Sequence, residues 1–200
     1  MERLFILLLL SYLIGSIPFS LLVGRFAKGI DLRKVGSGNV GGNNLIANAG
    51  PGWGLLGGAL DAAKGAAAMW LAGSIGVSYP ASLLAGLLVV AGHNWSIWLG
   101  FRGGKGLARA FGAIAWIAWP EAVVCALLWG LVNWRLRNGT SATIAAFVAL
   151  GILFVINARP VEYILFGFGI VVLVFIASYR DLVQVNRSAK HWSQNFTAPK

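Results

Sequence analysis

The chain of 200 residues is 58% hydrophobic and 11% charged, with a net charge of +10 and a mean hydropathy of +0.77. Soluble domains hold about 25% charged residues, so this composition excludes an ordinary soluble globule and points to an all-α, polytopic membrane protein. The basic residues stand in short gaps between apolar runs, which assigns the positive charge to anionic lipid surfaces and not to nucleic acid.

Apolar runs fall at about 4–24, 53–75, 82–100, 106–119, 121–134, 142–157 and 161–179. The first follows Arg3 and continues to Val23 with no cleavage site, so it reads as a retained span and not as a signal peptide. The fourth and fifth are separated by Pro120, which removes a helix hydrogen bond and divides what would otherwise be one long helix. Spans number about seven on this reading. With the N-terminus outside, fourteen of the sixteen basic residues then fall on one side, leaving Arg3 and Arg159 on the other. The positive-inside rule makes the crowded side, and with it the C-terminus, cytoplasmic. No strict alternation suggests a barrel. One membrane domain covers residues 1–200, with a polar tail from about residue 180 that reads as interfacial or partly disordered. The single Cys125 rules out a disulfide framework or a cysteine metal site.

Three polar islands interrupt the apolar pattern on the basic side. The first is Val35-Gly-Ser-Gly-Asn-Val-Gly-Gly-Asn-Asn44, with four glycines, one serine and three asparagines in ten residues. An ordinary turn needs fewer. Glycines at this density let a ligand approach the backbone, and successive N–H groups form an anion nest. The second is Asp61-Ala-Ala-Lys64-Gly65, whose two charges share one helix face inside an apolar run. Charges at that depth point to a partner or a polar cavity, unless they merely neutralise each other near the interface. The third runs from Gly92-His93-Asn94 to Phe101-Arg102-Gly103-Gly104-Lys105-Gly106-Leu107-Ala108. Its glycines open a helix, where free N–H groups and the positive end of the dipole favour an anion. The Walker pattern is not met, because Gly106 follows Lys105.

Two anion cradles on one face call for two phosphorylated ligands, or one ligand with two charged ends. An H-x-x-x-x-D pair, an H-E-x-x-H motif and paired carboxylates are all missing. An anion transporter is disfavoured, since its pathway would need polar residues on both sides of the membrane midplane.

The islands together resemble the bacterial acyl-phosphate:glycerol-3-phosphate acyltransferases, the PlsY family. The resemblance rests on Gly15-Ser-Ile-Pro-Phe19, Gly36-Ser-Gly-Asn-Val-Gly41 with Asn44, Asp61-x-x-Lys64-Gly65, and Gly92-His93 followed by Phe101-Arg-Gly-Gly-Lys-Gly-x-Ala108. It implies seven transmembrane helices and a cytoplasmic-side active site in the bacterial inner membrane. The implied reaction moves a fatty acyl group from acyl phosphate to the 1-hydroxyl of glycerol 3-phosphate, without metal or other cofactor. By the same resemblance Lys105, Gly103, Gly104 and Gly106 bind phosphate. Ser37, Asn39 and Asn44 orient a substrate, and His93 hydrogen-bonds near the reacting centre. Gly36, Gly38, Gly41, Asp61, Lys64, Arg102 and Arg109 complete the expected site. Membrane lipid is the surrounding partner, and a monomer is expected.

Four positions depart from the family pattern. Where the family has G-A-T-N-x-x-R, this chain has Gly41-Gly-Asn-Asn-Leu-Ile-Ala47, without the basic residue. Arg109 replaces a threonine after Lys105-Gly-x-Ala, and so is expected to supply the missing charge from the neighbouring loop. Gly139-Thr-Ser-Ala-Thr143 keeps the hydroxyls of a third motif, and Asp181 replaces a glutamate. A divergent paralogue with another polar acceptor, or with weak activity, is the alternative.

Overall fold

The computed structural model describes residues 1–136 and 139–196, with residues 140 and 180–196 described as backbone only. The side chains of Thr140 and Asp181 therefore lie outside the described set. Among the described residues the fold is all helical, so the all-α expectation holds. The helices are α1 (Glu2–Ser16), α2 (Phe19–Lys28), α3 (Gly42–Ala49), α4 (Pro51–Ile75), α5 (Tyr79–Asn94), α6 (Leu107–Ile117), α7 (Trp119–Leu136), α8 (Gly139–Ile156) and α9 (Val161–Phe196). By length and composition the segments Glu2–Lys28, Tyr79–Leu99 and Val161–Tyr179 can each cross a membrane, while Leu107–Ile117 and Ser141–Ile156 are shorter apolar helices.

The division at Pro120 is present. Helix α6 stops at Ile117, Ala118 leaves helical geometry, and α7 starts at Trp119 with the proline in its first turn, where its missing N–H is harmless. The first apolar run lies within one candidate span, Glu2–Lys28, as expected, but its helix is broken. Pro18 divides it into α1 and α2 at Ile17, which is extended. Part of the first polar island forms a further short helix, α3. Helix α9 runs from Val161 to Phe196, through the start of the polar tail.

Helix crossings explain many of the glycines. Apolar burial drives little association inside lipid, so small residues bring backbones together and packing does the rest. A Cβ on Gly15 would overlap the backbone of Val89, and one on Gly92 the backbone of Tyr12, which locks α1 to α5. Similarly, Gly65 meets the backbone of Arg109, and Gly112 that of Ala62, which locks α4 to α6. Around these crossings Met69, Val89, Val90, Ile114, Phe154, Phe166 and Ile170 form the main core. Leu127, Val155 and Phe168 face outward, as lipid-exposed residues should. Away from the islands Glu121, 1% exposed, accepts hydrogen bonds from Asn157 at 2.8 Å and Arg159 at 2.7 Å, tying the start of α7 to the α8–α9 connection.

Candidate active site

The first island folds around one side chain. Asn44, in the first turn of α3 and 5% exposed, donates through Nδ2 to the carbonyls of Leu32 (3.0 Å), Val35 (3.1 Å) and Asn39 (2.9 Å). Its Oδ1 accepts from the Ser37 N–H at 3.1 Å. The amide is thus spent on shaping the loop, which rests on the small core of Leu21, Leu32, Val40 and Leu45. Gly36 has φ +56°, and a side chain there would run into Asn44 Oδ1. Asn39 Oδ1 accepts from the Gly41 N–H at 2.9 Å, while Ser37 is exposed and Asn39 half-buried. Beside the loop, Asp31 joins Arg25 (2.9 Å) and Arg33 (2.6 Å). The two guanidiniums, Arg33 foremost, hold the Asp31 carboxyl well below its usual range.

The third island starts at the C-terminal end of α5. His93 and Asn94 are 1% and 4% exposed. After a 3-10 turn at Ile97–Leu99 the chain returns, and the N–H groups of Gly103 and Gly104 donate to the carbonyls of Asn94 (3.1 Å) and His93 (3.2 Å). Those two amides are therefore committed, against the expectation that they would cradle a ligand. What the two glycines contribute is closeness. A Cβ on Gly103 would strike the His93 carbonyl, and one on Gly104 would strike His93 Nε2. The same Gly104 position lies 3.2 Å from Asn39 Oδ1, so the first and third islands meet here. Gly106, at φ +78°, caps α6. The first turn of α6 then presents N–H groups with no acceptor within the helix. Lys105 is half-buried and Arg102 exposed beside them.

The second island lies beneath. Asp61 is fully buried on α4 and Lys64 is 3% exposed. Lys64 Nζ is 3.2 Å from the Asp61 carboxylate, and Ser20 Oγ donates to the same carboxylate at 2.6 Å. Lys64 also donates to the carbonyls of Gly15 (2.9 Å) and Ile17. The break at Pro18 frees these carbonyls, and in lipid they must find a donor. Ser96 Oγ takes the third, Ser16 O, at 2.6 Å, and the Tyr12 hydroxyl donates to Trp95 O at 2.6 Å. The elbow between α1 and α2 is thereby fastened both to α4 and to the loop after α5.

Arg109 is not where the sequence expectation placed it. It is 2% exposed, on the first turn of α6, and its guanidinium forms an ion pair with Asp61. Ala47 is exposed on α3. A buried carboxylate attracts the guanidinium inward, so Arg109 does not stand in for a charge at position 47. Sequence reasoning missed Tyr12, Ser16, Ser20 and Ser96. The available signal was Pro18 inside an apolar run, flanked by hydroxyl residues. An open apolar groove of about 440 Å³, lined by Phe19, Leu22, Val23, Phe26, Ala27, Trp53 and Leu56, runs along α2 and α4. Asn43 of α3 approaches Gly139, so the start of α8 borders the first island.

Residues 5–188 match the family model described as glycerol-3-phosphate acyltransferase. A glycerol-3-phosphate acyltransferase of Parasynechococcus marenigrum is 40% identical over 159 residues, 80% of this chain and 75% of the relative. One from Desulforudis audaxviator is 35% identical over 191 residues, 96% of this chain and 94% of the relative. The crystal structure of PlsY, an integral membrane glycerol 3-phosphate acyltransferase, in its glycerol 3-phosphate form superposes with a TM-score of 0.79 at 32% identity, covering 96% of this chain and 94% of that one. Its lysophosphatidic acid form gives 0.80 at 29% identity, covering 94% and 93%. An all-helical membrane fold, glycine islands that meet at His93, and a match over nearly the whole chain lead to one conclusion: the chain belongs to the glycerol-3-phosphate acyltransferase family.

Proposed function

We propose that the protein transfers a fatty acyl group from acyl phosphate to the 1-hydroxyl of glycerol 3-phosphate, releasing lysophosphatidic acid and inorganic phosphate. The observation that carries this reading is the meeting of the two glycine islands at Gly104, Asn39 and His93. It brings two phosphate-favouring loops within one small molecule's reach. The PlsY neighbours, described in glycerol 3-phosphate and lysophosphatidic acid forms, support the same acceptor and product.

Acyl phosphate is a mixed anhydride with a good leaving group. The acceptor hydroxyl oxygen attacks the acyl carbon, the anhydride C–O bond breaks, and phosphate departs with the electron pair. A phosphate oxygen takes the hydroxyl proton, so alignment and charge neutralisation matter more than a strong base. Lys105 and the N-terminal turn of α6 hold the donor phosphate. Ser37 and Asn39 orient the acceptor, His93 supports the reacting centre, and the groove along α2 takes the acyl chain. Asn44, Gly36, Gly38 and Gly41 shape the first loop, while Arg102 adds charge at the rim. The chain acts as a single domain and a monomer, with seven spans, the N-terminus outside and the C-terminus cytoplasmic, in a bacterial cytoplasmic membrane. No metal or cofactor takes part.

One observation favours a second reading. Ala47 is uncharged and Arg109 faces inward, so a polar acceptor other than glycerol 3-phosphate is the competing substrate. Purified protein with radiolabelled acyl phosphate and a panel of acceptors separates the two. Labelled lysophosphatidic acid from glycerol 3-phosphate supports the first reading. Acylation of a different acceptor, with none of glycerol 3-phosphate, refutes it.

A further inference from the structure

We infer that Arg109 is a positioning residue for the phosphate-holding loop 103–106, acting through Asp61; the inference rests on the function proposed above. The loop is held at two ends. At its start, the N–H groups of Gly103 and Gly104 bind the last carbonyls of α5. At its far end the chain enters α6, where the Ala110 N–H donates to Gly106 O at 3.0 Å and Arg109 follows one half-turn inside. The Arg109 guanidinium joins the fully buried Asp61 of α4, which is held in turn by Ser20 of α2. The backbones of Arg109 and Gly65 also touch, so the first turn of α6 is fixed to α4 by both main chain and side chain.

Lys64 cannot take over this task without loss. Its Nζ is already shared among Asp61 and the carbonyls of Gly15 and Ile17 at the Pro18 elbow. Arg109 pairs with Asp61 Oδ2, while Lys64 stands 3.2 Å from Oδ1 and also fastens the elbow. The group also sets two basic side chains, Lys64 and Arg109, against the one carboxylate of Asp61. Above it His93 is 1% exposed with no hydrogen-bond partner on either ring nitrogen among the described residues, and its Nε2 lies against Gly104. Arg109 therefore does two things for a bound phosphate. It fixes the loop's exit angle and supplies buried positive charge that salt screens poorly.

The test uses the purified full chain in detergent with Arg109→Met and Arg109→Lys. The first keeps much of the stem's bulk without the charge, and the second keeps the charge without the planar fork. Inorganic phosphate, read as its stabilisation of thermal unfolding, reports binding independently of turnover. Steady-state acyl transfer reports KM and kcat. For Arg109→Met the expected result is a KM for acyl phosphate raised about tenfold or more and a similarly weakened phosphate stabilisation, with kcat changed less than about threefold. Arg109→Lys falls between that variant and wild type. Lost activity in proportion to lost folded protein, with KM and phosphate stabilisation unchanged, would show a purely structural role and overturn the inference. Should Arg109→Met not fold, Arg109→Lys decides alone, and a wild-type KM there overturns it. If wild type turns over no glycerol 3-phosphate, the proposed function fails, while the phosphate arm still reads the inference. A wild-type protein that phosphate does not stabilise refutes the inference outright.

Discussion

Gly104→Ala tests the meeting of the two islands with a single methyl group. Gly104 does not occupy a left-handed backbone region, so the substitution carries no backbone strain. Its effect is steric. The new Cβ would overlap His93 Nε2 and come within 3.2 Å of Asn39 Oδ1. His93 has little room to retreat, because it is 1% exposed and its carbonyl is bonded to the Gly104 N–H at 3.2 Å. Either the imidazole or the loop must move. Overpacking of this kind costs about 1–3 kcal/mol, which at about 1.4 kcal/mol per decade corresponds to roughly 5- to 150-fold. Misplacement of reacting groups by about 1 Å has a comparable cost of about 100-fold. The assay is phosphate release from acyl phosphate with glycerol 3-phosphate, read as kcat/KM. Gly130→Ala is the matched control, since nothing lies within 4 Å of its Cβ position on α7. We expect Gly104→Ala to lose one to two orders of magnitude and the control to lose nothing. Equal kcat/KM for both variants would refute the convergence at Gly104.

Three further outcomes follow from the geometry. Lys105→Ala, which removes the half-buried cation of the loop, should cut kcat/KM by about 100-fold while the protein remains folded; near-normal turnover would remove Lys105 from the site. Asp61→Asn leaves Lys64 and Arg109 buried without their carboxylate, so stability should fall by about 3–5 kcal/mol, seen as a drop of about 10 °C in the unfolding midpoint; an unchanged midpoint contradicts the buried ion group. Leu22→Trp fills the groove along α2, so turnover of long-chain acyl phosphates should fall about tenfold relative to short-chain ones, and an unaltered chain-length profile would move the acyl chain elsewhere.

Much of the fold was legible because its signals are local. Lipid demands long apolar helices, so hydropathy located the helical runs. Pro120 marked the α6–α7 boundary because proline cannot donate a helix hydrogen bond. The glycine islands stood out because ordinary turns do not need so many glycines in so few residues. Pro18 carried the same local signal inside the first run, but hydropathy on both sides concealed the break.

The partners of the buried charges were not legible. The sequence put Asp61 and Lys64 on one helix face, but the carbonyls of Gly15 and Ile17 became available only once Pro18 broke the first helix. Asn44 looked like a ligand-facing amide, and the fold commits it to the carbonyls of Leu32, Val35 and Asn39. Arg109 looked like a replacement for a charge missing at position 47. The close crossing of α4 and α6, made possible by Gly65 and Gly112, instead turns it onto Asp61. Sequence alone determined which residues are too polar for the membrane to leave without partners. Tertiary structure decided which partner each received, because a buried charge is stabilised by whatever opposite charge or carbonyl the helix crossings bring within about 3 Å.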